Sequence, residues 1–306
     1  MISSAQTTLP QPPLVRRLAQ RIGNRVRREI PHRWLAPVFR PAMGIRRGNV
    51  VMFHIGRSGS TVLASLLQQN PGVYWDGELL EGYYGTTAMR MQERGLRTQF
   101  RWNSSRFFPD DPVGFVRSRM PLAGFRSFYG FEAKFYHLTF NNLALADFVS
   151  GMEDLGFHHF VVLERKNFLR KVVSSLVAQQ TLEYHLAPDR KPKPTHVHVN
   201  VEALEIDSNQ RPLLEYFQEW EEQFASLKEL LSKKSALWLH YETDLLTDPL
   251  IGYRRCCEFL DLPAYQANVR LGRTNPFPLQ EIVSNWQEIA ALLTGTRFEW
   301  MVFNPE

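Results

Sequence analysis

Residues Asn49 to Leu67 read NVVMFHIGRSGSTVLASLL, and this stretch decides the fold class. Asn49 to Ile55 is a short apolar, β-rich run, which predicts a buried strand. Gly56 to Ser60 is a tight polar turn. Thr61 to Gln69 then carries Val62, Leu63, Leu66 and Leu67 at helical spacing, and Pro71 and Gly72 end it. The first N–H groups of such a helix have no intrahelical acceptor and lie at the positive end of its dipole, so the turn is an anion site. Gly59 has no Cβ to keep a phosphate from the backbone, and Ser60 and Thr61 can add hydroxyl donors. A plain strand-to-helix turn would also use Gly and Ser. Here strand, cation (Arg57), Gly, hydroxyls and helix fall in the order a phosphate site requires. The nucleoside-triphosphate form of this turn needs a Gly-Lys-Ser/Thr end. Gly59 is followed by Ser60 instead, and the cation precedes the turn.

Outward from this unit, strands alternate with helices. Strands are expected at Val73–Trp75, Phe125–Leu138, Phe160–Leu163 and Ala236–His240. Helices are expected over Asn141–Leu155, Asn167–Gln180, Pro212–Leu231, Pro249–Phe259 and Pro278–Leu293, with a Pro-rich surface loop at 186–200. The segment from Gly85 to Asp111 favours neither state. The alternation predicts an α/β fold, a doubly wound and mostly parallel sheet flanked by helices, with no internal repeat.

A second polar strand-end lies in FVVLERKNFLRKVVSSLVAQQ, residues 160 to 180. The strand closes on Glu164-Arg165-Lys166 and a helix follows, with Ser174 two turns in, roughly 10 Å away at most. Arg165 or Lys166, converging with Ser174, could hold a second phosphate. A solvated helix start with an exposed serine would read the same way.

These two stretches together resemble the superfamily of sulfotransferases that use 3′-phosphoadenosine 5′-phosphosulfate (PAPS). They are most similar to bacterial carbohydrate and glycolipid sulfotransferases of the trehalose 2-sulfotransferase and nodulation-factor types. Segments 130–138, 239–249 and 275–301 look like family segments too, so the likeness runs from about Asn49 to the C-terminus. The resemblance implies a P-loop-like fold. Arg57, Ser58, Gly59, Ser60 and Thr61 would take the 5′-phosphosulfate, with Arg57 on the bridging oxygen. Arg165 or Lys166 with Ser174 would take the 3′-phosphate, and Arg273, in LGRTNP, would close a late loop over the nucleotide. It implies a carboxylate base on the loop after the second strand: Glu78, with Glu81 as second choice. His137 is a weaker rival, since a lone His on an apolar strand is more often structural. Lys134, alternating with Ala133 and Phe135, could face the sulfonate or the acceptor. No metal is implied. The function expected is transfer of a sulfuryl group to a hydroxyl of a carbohydrate or glycolipid. The alternatives are a P-loop-type kinase, disfavoured by the missing Gly-Lys-Ser/Thr, and a non-catalytic nucleotide-binding protein at a membrane surface.

Composition narrows the partners. At 306 residues, 44% hydrophobic and 22% charged, the chain has the balance of a soluble globular protein with one large domain or two small ones. No apolar run reaches the ~18 residues of a membrane span, and the start is no secretory signal. Cys256 and Cys257 are expected as buried, reduced thiols, and the chain as cytoplasmic. The net charge of +5 hides an asymmetry. Residues 1–47 hold ten arginines against one acid, Glu29, and carry +9, leaving −4 on residues 48–306. That balance argues against nucleic acid as a partner. Residues 1–13 are expected to be disordered. From Leu14 to Ile30 apolar residues recur every four positions among arginines, predicting a basic amphipathic arm. The arm could lie on an anionic membrane, making the protein peripheral to it, or pack on its own domain or on a twin subunit in a homo-oligomer.

Overall fold

In this computed structural model, residues 9–13, 46–82, 100–103, 106–207 and 209–303 are described. Strand β1 (Gly48–His54) leads through the Gly56–Gly59 turn into helix α1 (Ser60–Gln69) and strand β2 (Val73–Trp75). A hairpin follows, β3 (Phe100–Asn103) with β4 (Arg106–Pro109), then α2 (Pro112–Arg119) and a 3-10 turn. Strand β5 (Phe128–Lys134) runs directly into α3 (Phe135–Phe140). Next come α4 (Leu145–Asp154), β6 (Phe157–Glu164) and α5 (Phe168–Thr181). A second hairpin, β7 (Leu204–Ile206) with β8 (Asn209–Arg211), precedes α6 (Leu213–Leu230) and β9 (Ala236–His240). The chain ends with α7 (Pro249–Phe259), α8 (Leu279–Ile282), α9 (Trp286–Leu293) and α10 (Trp300–Phe303).

The central sheet has five strands in the order β2–β5–β1–β6–β9, all parallel. Alternation along β1 divides the core. Val51 and Phe53 pack with α4, α5, α6 and α9 on one face, and Val50 and Met52 pack with α1 and α7 on the other. Helices therefore cover both faces, as parallel sheets require. The chain leaves β1 toward the β2 edge and leaves β6 toward the β9 edge. The strand order thus reverses between β1 and β6, where such sheets open a crevice at the carboxyl ends of their strands. Within the sheet, Gly130 of β5 permits a close approach of its neighbours: a Cβ would come within 2.5 Å of the Trp75 ring and 2.8 Å of Val50.

Several sequence expectations change. The strand expected over Phe125–Leu138 is only β5. Phe125 is 76% exposed in a turn before it, and after Lys134 the buried positions shift to helical spacing, so His137 lies on α3. The helix expected over Pro278–Leu293 breaks at Val283–Asn285. There Val283 bridges Val197, and Asn285 bonds both backbone groups of Val199. The 186–200 loop is therefore anchored, with Leu186, Val197 and Val199 buried. The helix expected from Asn141 starts at Leu145. Residues 9–13, expected to be disordered, dock on the domain: Leu9 packs near α7, Pro12 is buried, and the Gln266 N–H donates to the Pro10 carbonyl at 2.8 Å. Two arginines assigned to the arm belong to the domain. Arg46 donates to the Met120 carbonyl at 2.8 Å, and Arg47 pairs with Asp261 at 2.5 Å. The amphipathic segment Leu14–Ile30 lies outside the described residues. Cys256 and Cys257 are buried free thiols on α7. No helix among the described residues is long and apolar enough to cross a membrane.

Candidate functional site

The crevice at the β1/β6 reversal is a cavity of about 860 Å³, at the upper end of the ~300–1,000 Å³ usual for ligand pockets. Its walls are carboxyl-end segments: the turn after β1, the Glu78–Glu81 loop after β2, Lys134 at the end of β5, Arg165 after β6 with Ser174 on α5, Tyr241 after β9, and the 269–275 loop. Ser60 and Ser174 share this cavity, as do Gly59, Thr61 and Arg273.

One end is built to take anions. Gly56, Arg57 and Gly59 have φ of 75°, 52° and 82°, and Gly59 caps α1 without a side-chain bond. The Gly56 N–H is taken by His54 Nδ1 at 3.0 Å. The following N–H groups, from Arg57 to Thr61, have no acceptor among the described residues. A Cβ on Gly59 would lie 3.0 Å from the Tyr241 ring, so a side chain there would push into the cavity wall. Arg57 spans the crevice, donating to Ser174 Oγ at 3.0 Å, the Tyr184 carbonyl at 2.8 Å and Thr274 Oγ1 at 2.6 Å. Burial and the neighbouring Arg165 lower its pKa to about 10, so it stays charged at neutral pH. Arg165 stacks on Tyr241 at 4.4 Å, donates to the Arg57 carbonyl and keeps a buried Nε unpartnered. Arg273 is close enough to depress the Arg165 pKa further, after burial and against the pull of Tyr241 and Glu242.

Two expected members fall outside. Lys166 is half-exposed, pairs with Glu164 at 2.7 Å and does not line the cavity; of the two adjacent cations, Arg165 lines it. The alternation of the chain leaving β6 turns one inward and the next out. The Ser58 side chain is wholly buried beneath the turn, its hydroxyl unpartnered, and Ser58 does not line the cavity. The start of α5 is capped as well. Asn167 Oδ1 accepts from the Arg170 N–H, and Glu242 accepts from the N–H groups of Lys166 and Asn167. Any anion beside α5 would be held by side chains, not by the helix end.

The other end is an acid–base network centred on Lys134. Its Nζ donates to Glu78 Oε2 at 2.6 Å, Glu81 Oε2 at 2.8 Å and Tyr136 OH at 3.1 Å. Burial alone would favour the neutral amine, but Tyr136, Glu78 and Glu81 hold Lys134 charged, well above its usual range. Burial pushes Glu78 up to about 7, against the pull of Lys134. Glu81 goes the other way. Burial opposes its ionisation, but hydrogen bonds from His137 and Lys134 and their charges hold it below the usual carboxylate range. Its Oε2 also accepts from Tyr136 OH at 2.7 Å. His137 is wholly buried, and burial lowers its pKa to about 4. Its Nδ1 accepts the Lys134 N–H at 3.2 Å, so Nε2 carries the proton and donates to Glu81 at 2.7 Å. With both ring nitrogens engaged, His137 cannot serve as base; it orients Glu81.

Four contributors had no sequence assignment. His54 Nε2 faces Glu132 Oε2 at 3.4 Å, and Trp75 Nε1 donates to Glu132 at 3.1 Å. Burial opposes ionisation of Glu132, but bonds from His54, Trp75 and Ser60 keep it ionised. Tyr241 forms the wall behind Gly59. Period-2 spacing puts Glu132 on the same strand face as Lys134, a signal present in the sequence. The pairing of β1 with β5, which sets Lys134 opposite His54, is not local.

Two groups bring potential metal ligands within 4.8 Å of one another: His54, Glu78 and Glu132, and Glu78, Glu81 and His137. In the second, Lys134 already stands between the carboxylates as an internal cation. In the first, Nδ1 of His54 accepts a backbone N–H, which leaves the other ring nitrogen a donor rather than a ligand. Comparison of the chain with protein-family models gives no match, and a search of curated proteins gives none.

Proposed function

We propose that this chain is a sulfotransferase with a P-loop-like turn, moving the sulfuryl group of PAPS to a hydroxyl of a carbohydrate or glycolipid. One observation carries the reading: a single cavity joins a turn of free N–H groups and three arginines to a carboxyl group poised near neutrality. The anion end suits a nucleotide with phosphates at both ends. The turn and Arg57 would hold the 5′-phosphosulfate, and Arg165, Arg273 and Ser174 the 3′-phosphate. In the transfer, the acceptor oxygen attacks sulfur in line as the bond from sulfur to the phosphate oxygen breaks. Negative charge develops on that oxygen, where Arg57 and the N–H groups stabilise it. Glu78 takes the acceptor proton, giving a sulfate ester and adenosine 3′,5′-bisphosphate. A group with pKa about 7 is matched to this task, being about half ionised at neutral pH yet basic.

Calorimetry on the full chain tests the reading. Adenosine 3′,5′-bisphosphate should bind, and ATP with magnesium should bind far more weakly. Labelled PAPS should pass sulfate to a glycan extract, and Arg57→Ala should slow that transfer ~10²-fold or more. Preference for ATP over the bisphosphate would sink the proposal in favour of a kinase.

A further inference from the structure

The cavity continues past Glu81 to Asp207, which sits in the turn of the β7–β8 hairpin with φ 53°. An Asp tolerates this left-handed backbone better than most residues, but the conformation persists only where surroundings enforce it. Lys171 enforces it. Its side chain is wholly buried, lies 4.4 Å over the Trp220 ring, and places Nζ on Asp207 Oδ2. A buried ammonium is tolerated only when paired, so this contact fixes the carboxylate rigidly. Oδ1 has no partner among the described residues, and the carboxylate lines the cavity. Lys171, Ser175 and Gln179 follow one another at i, i+4 and i+8, along one face of α5. Ser175 is 94% buried by its 6% exposure, lines the cavity, and its hydroxyl has no partner. Gln179 lines it too, and the stacked rings of Phe108 and Phe140, 5.6 Å apart, close this end.

We propose that this end selects an uncharged polyhydroxyl acceptor, a neutral sugar, and that Asp207 and Ser175 are its specificity-determining residues. The inference rests on the sulfotransferase reading and adds the charge class of the acceptor. The charge balance supports it. Lys171 neutralises Asp207 and Lys134 neutralises Glu81, while Arg57, Arg165 and Arg273 cluster at the nucleotide end. Among the described residues, a uronate or phosphate group here would meet carboxylates and no unpaired cation. Sugar hydroxyls would find a fixed acceptor at Oδ1, a free hydroxyl at Ser175 and an aromatic pair. A site built to bond hydroxyls loses affinity when one bonding group is removed, because its partner is left unpaired.

The test uses the full chain with labelled PAPS and an immobilised panel of neutral, uronate-bearing and phosphorylated oligosaccharides. The wild type should label neutral members only. Asp207→Asn keeps an oxygen for Lys171 but not its charge, so the melting temperature should fall while the affinity for adenosine 3′,5′-bisphosphate is kept. It should raise KM for the labelled sugar at least ~10-fold. Label on charged members, no label from a protein that binds the nucleotide, or an unchanged KM in Asp207→Asn would each overturn the proposal. If Asp207→Asn loses its fold, Ser175→Ala decides, since it leaves the Lys171–Asp207 pair intact. A raised KM then supports the assignment, and an unchanged KM overturns it. Failure of the wild type to bind the nucleotide would be the failure of the sulfotransferase reading itself, and the proposal would go with it.

Discussion

Glu78 and Glu81 sit on one loop, share one ammonium and titrate in opposite directions. The difference is in donors. Glu81 receives Lys134, Tyr136 and His137 on a single oxygen, and each favours its anion. Among the described residues Glu78 receives Lys134 alone, and burial wins. Environment has thus divided two chemically similar groups into a fixed anion and a titratable one, the separation that acid–base sites use. The sign of the pH dependence follows. Glu78 works as a base only when ionised, so transfer should fall as pH drops below about 7. Glu78→Gln should abolish that limb and lower turnover ~10²-fold or more while sparing nucleotide affinity. Lys134 lowers the Glu78 pKa, so Lys134→Met should move the limb to higher pH by roughly one unit or more. A pH–rate profile of the three proteins checks both shifts. An unmoved limb in Lys134→Met would assign it to another group.

Elements position these side chains, and the Glu78 loop shows how. Asp76, just before it, accepts from Arg119 of α2 at 2.7 and 3.0 Å and from Tyr129 OH at 2.9 Å. Gly77 accepts the Glu132 N–H, and Leu79 and Leu80 are buried just beyond. Glu78 is thus presented by a loop pinned on both sides. Asp76→Ala would strand a buried guanidinium and a buried phenol, costing about 3–5 kcal/mol. The loss should appear in denaturant melts and in kcat, with nucleotide affinity unchanged; a parallel loss of nucleotide affinity would mean the pin serves the whole cavity. Elements with strong local signals were legible in the sequence. β9 and α7 have the expected bounds, α7 because Asp248 caps it and Pro249 opens it. The β1–turn–α1 unit was legible for the same reason, and with it Arg57, Gly59, Ser60 and Thr61. Elements set by distant contacts were not. The break before α9 depends on Val197 and Val199, and the hairpin that carries Asp207 has only three-residue strands. α3 was hidden because aromatics suit a strand and a buried helix equally. At the site, Glu78, Glu81 and Lys134 could each be named from the sequence, but their meeting depends on the parallel register of β1 with β5.

Across the whole molecule, buried groups whose pKa values leave their ordinary range fix how stability follows pH. His54, His137, His159 and His185 all have pKa values lowered, by burial first. Each takes up a proton more readily unfolded than folded. For His137 this window runs from the ordinary 6.5 down to about 4. Within it the unfolded chain binds more protons, so the histidines' contribution is present above pH 6.5 and is lost as pH falls. Glu78 acts in the opposite sense. Its pKa is raised from 4.5 to about 7, so the folded state binds more protons in that window and gains stability as pH falls. Converted at about 1.4 kcal/mol per pH unit, each of these two groups is worth up to roughly 3.5 kcal/mol across its window. The two largely offset one another in the intact protein, leaving the other histidines to set a shallow loss on acidification. Glu78→Gln removes a term that opposes them. Its stability should therefore fall more steeply than that of the wild type between pH 7 and pH 4.5, and exceed it most above pH 7, where the buried anion is no longer carried. Urea melts of both proteins at half-unit intervals measure the difference. Parallel profiles would mean that Glu78 titrates normally in the folded chain, and the base at the centre of the proposed reaction would have to be sought elsewhere.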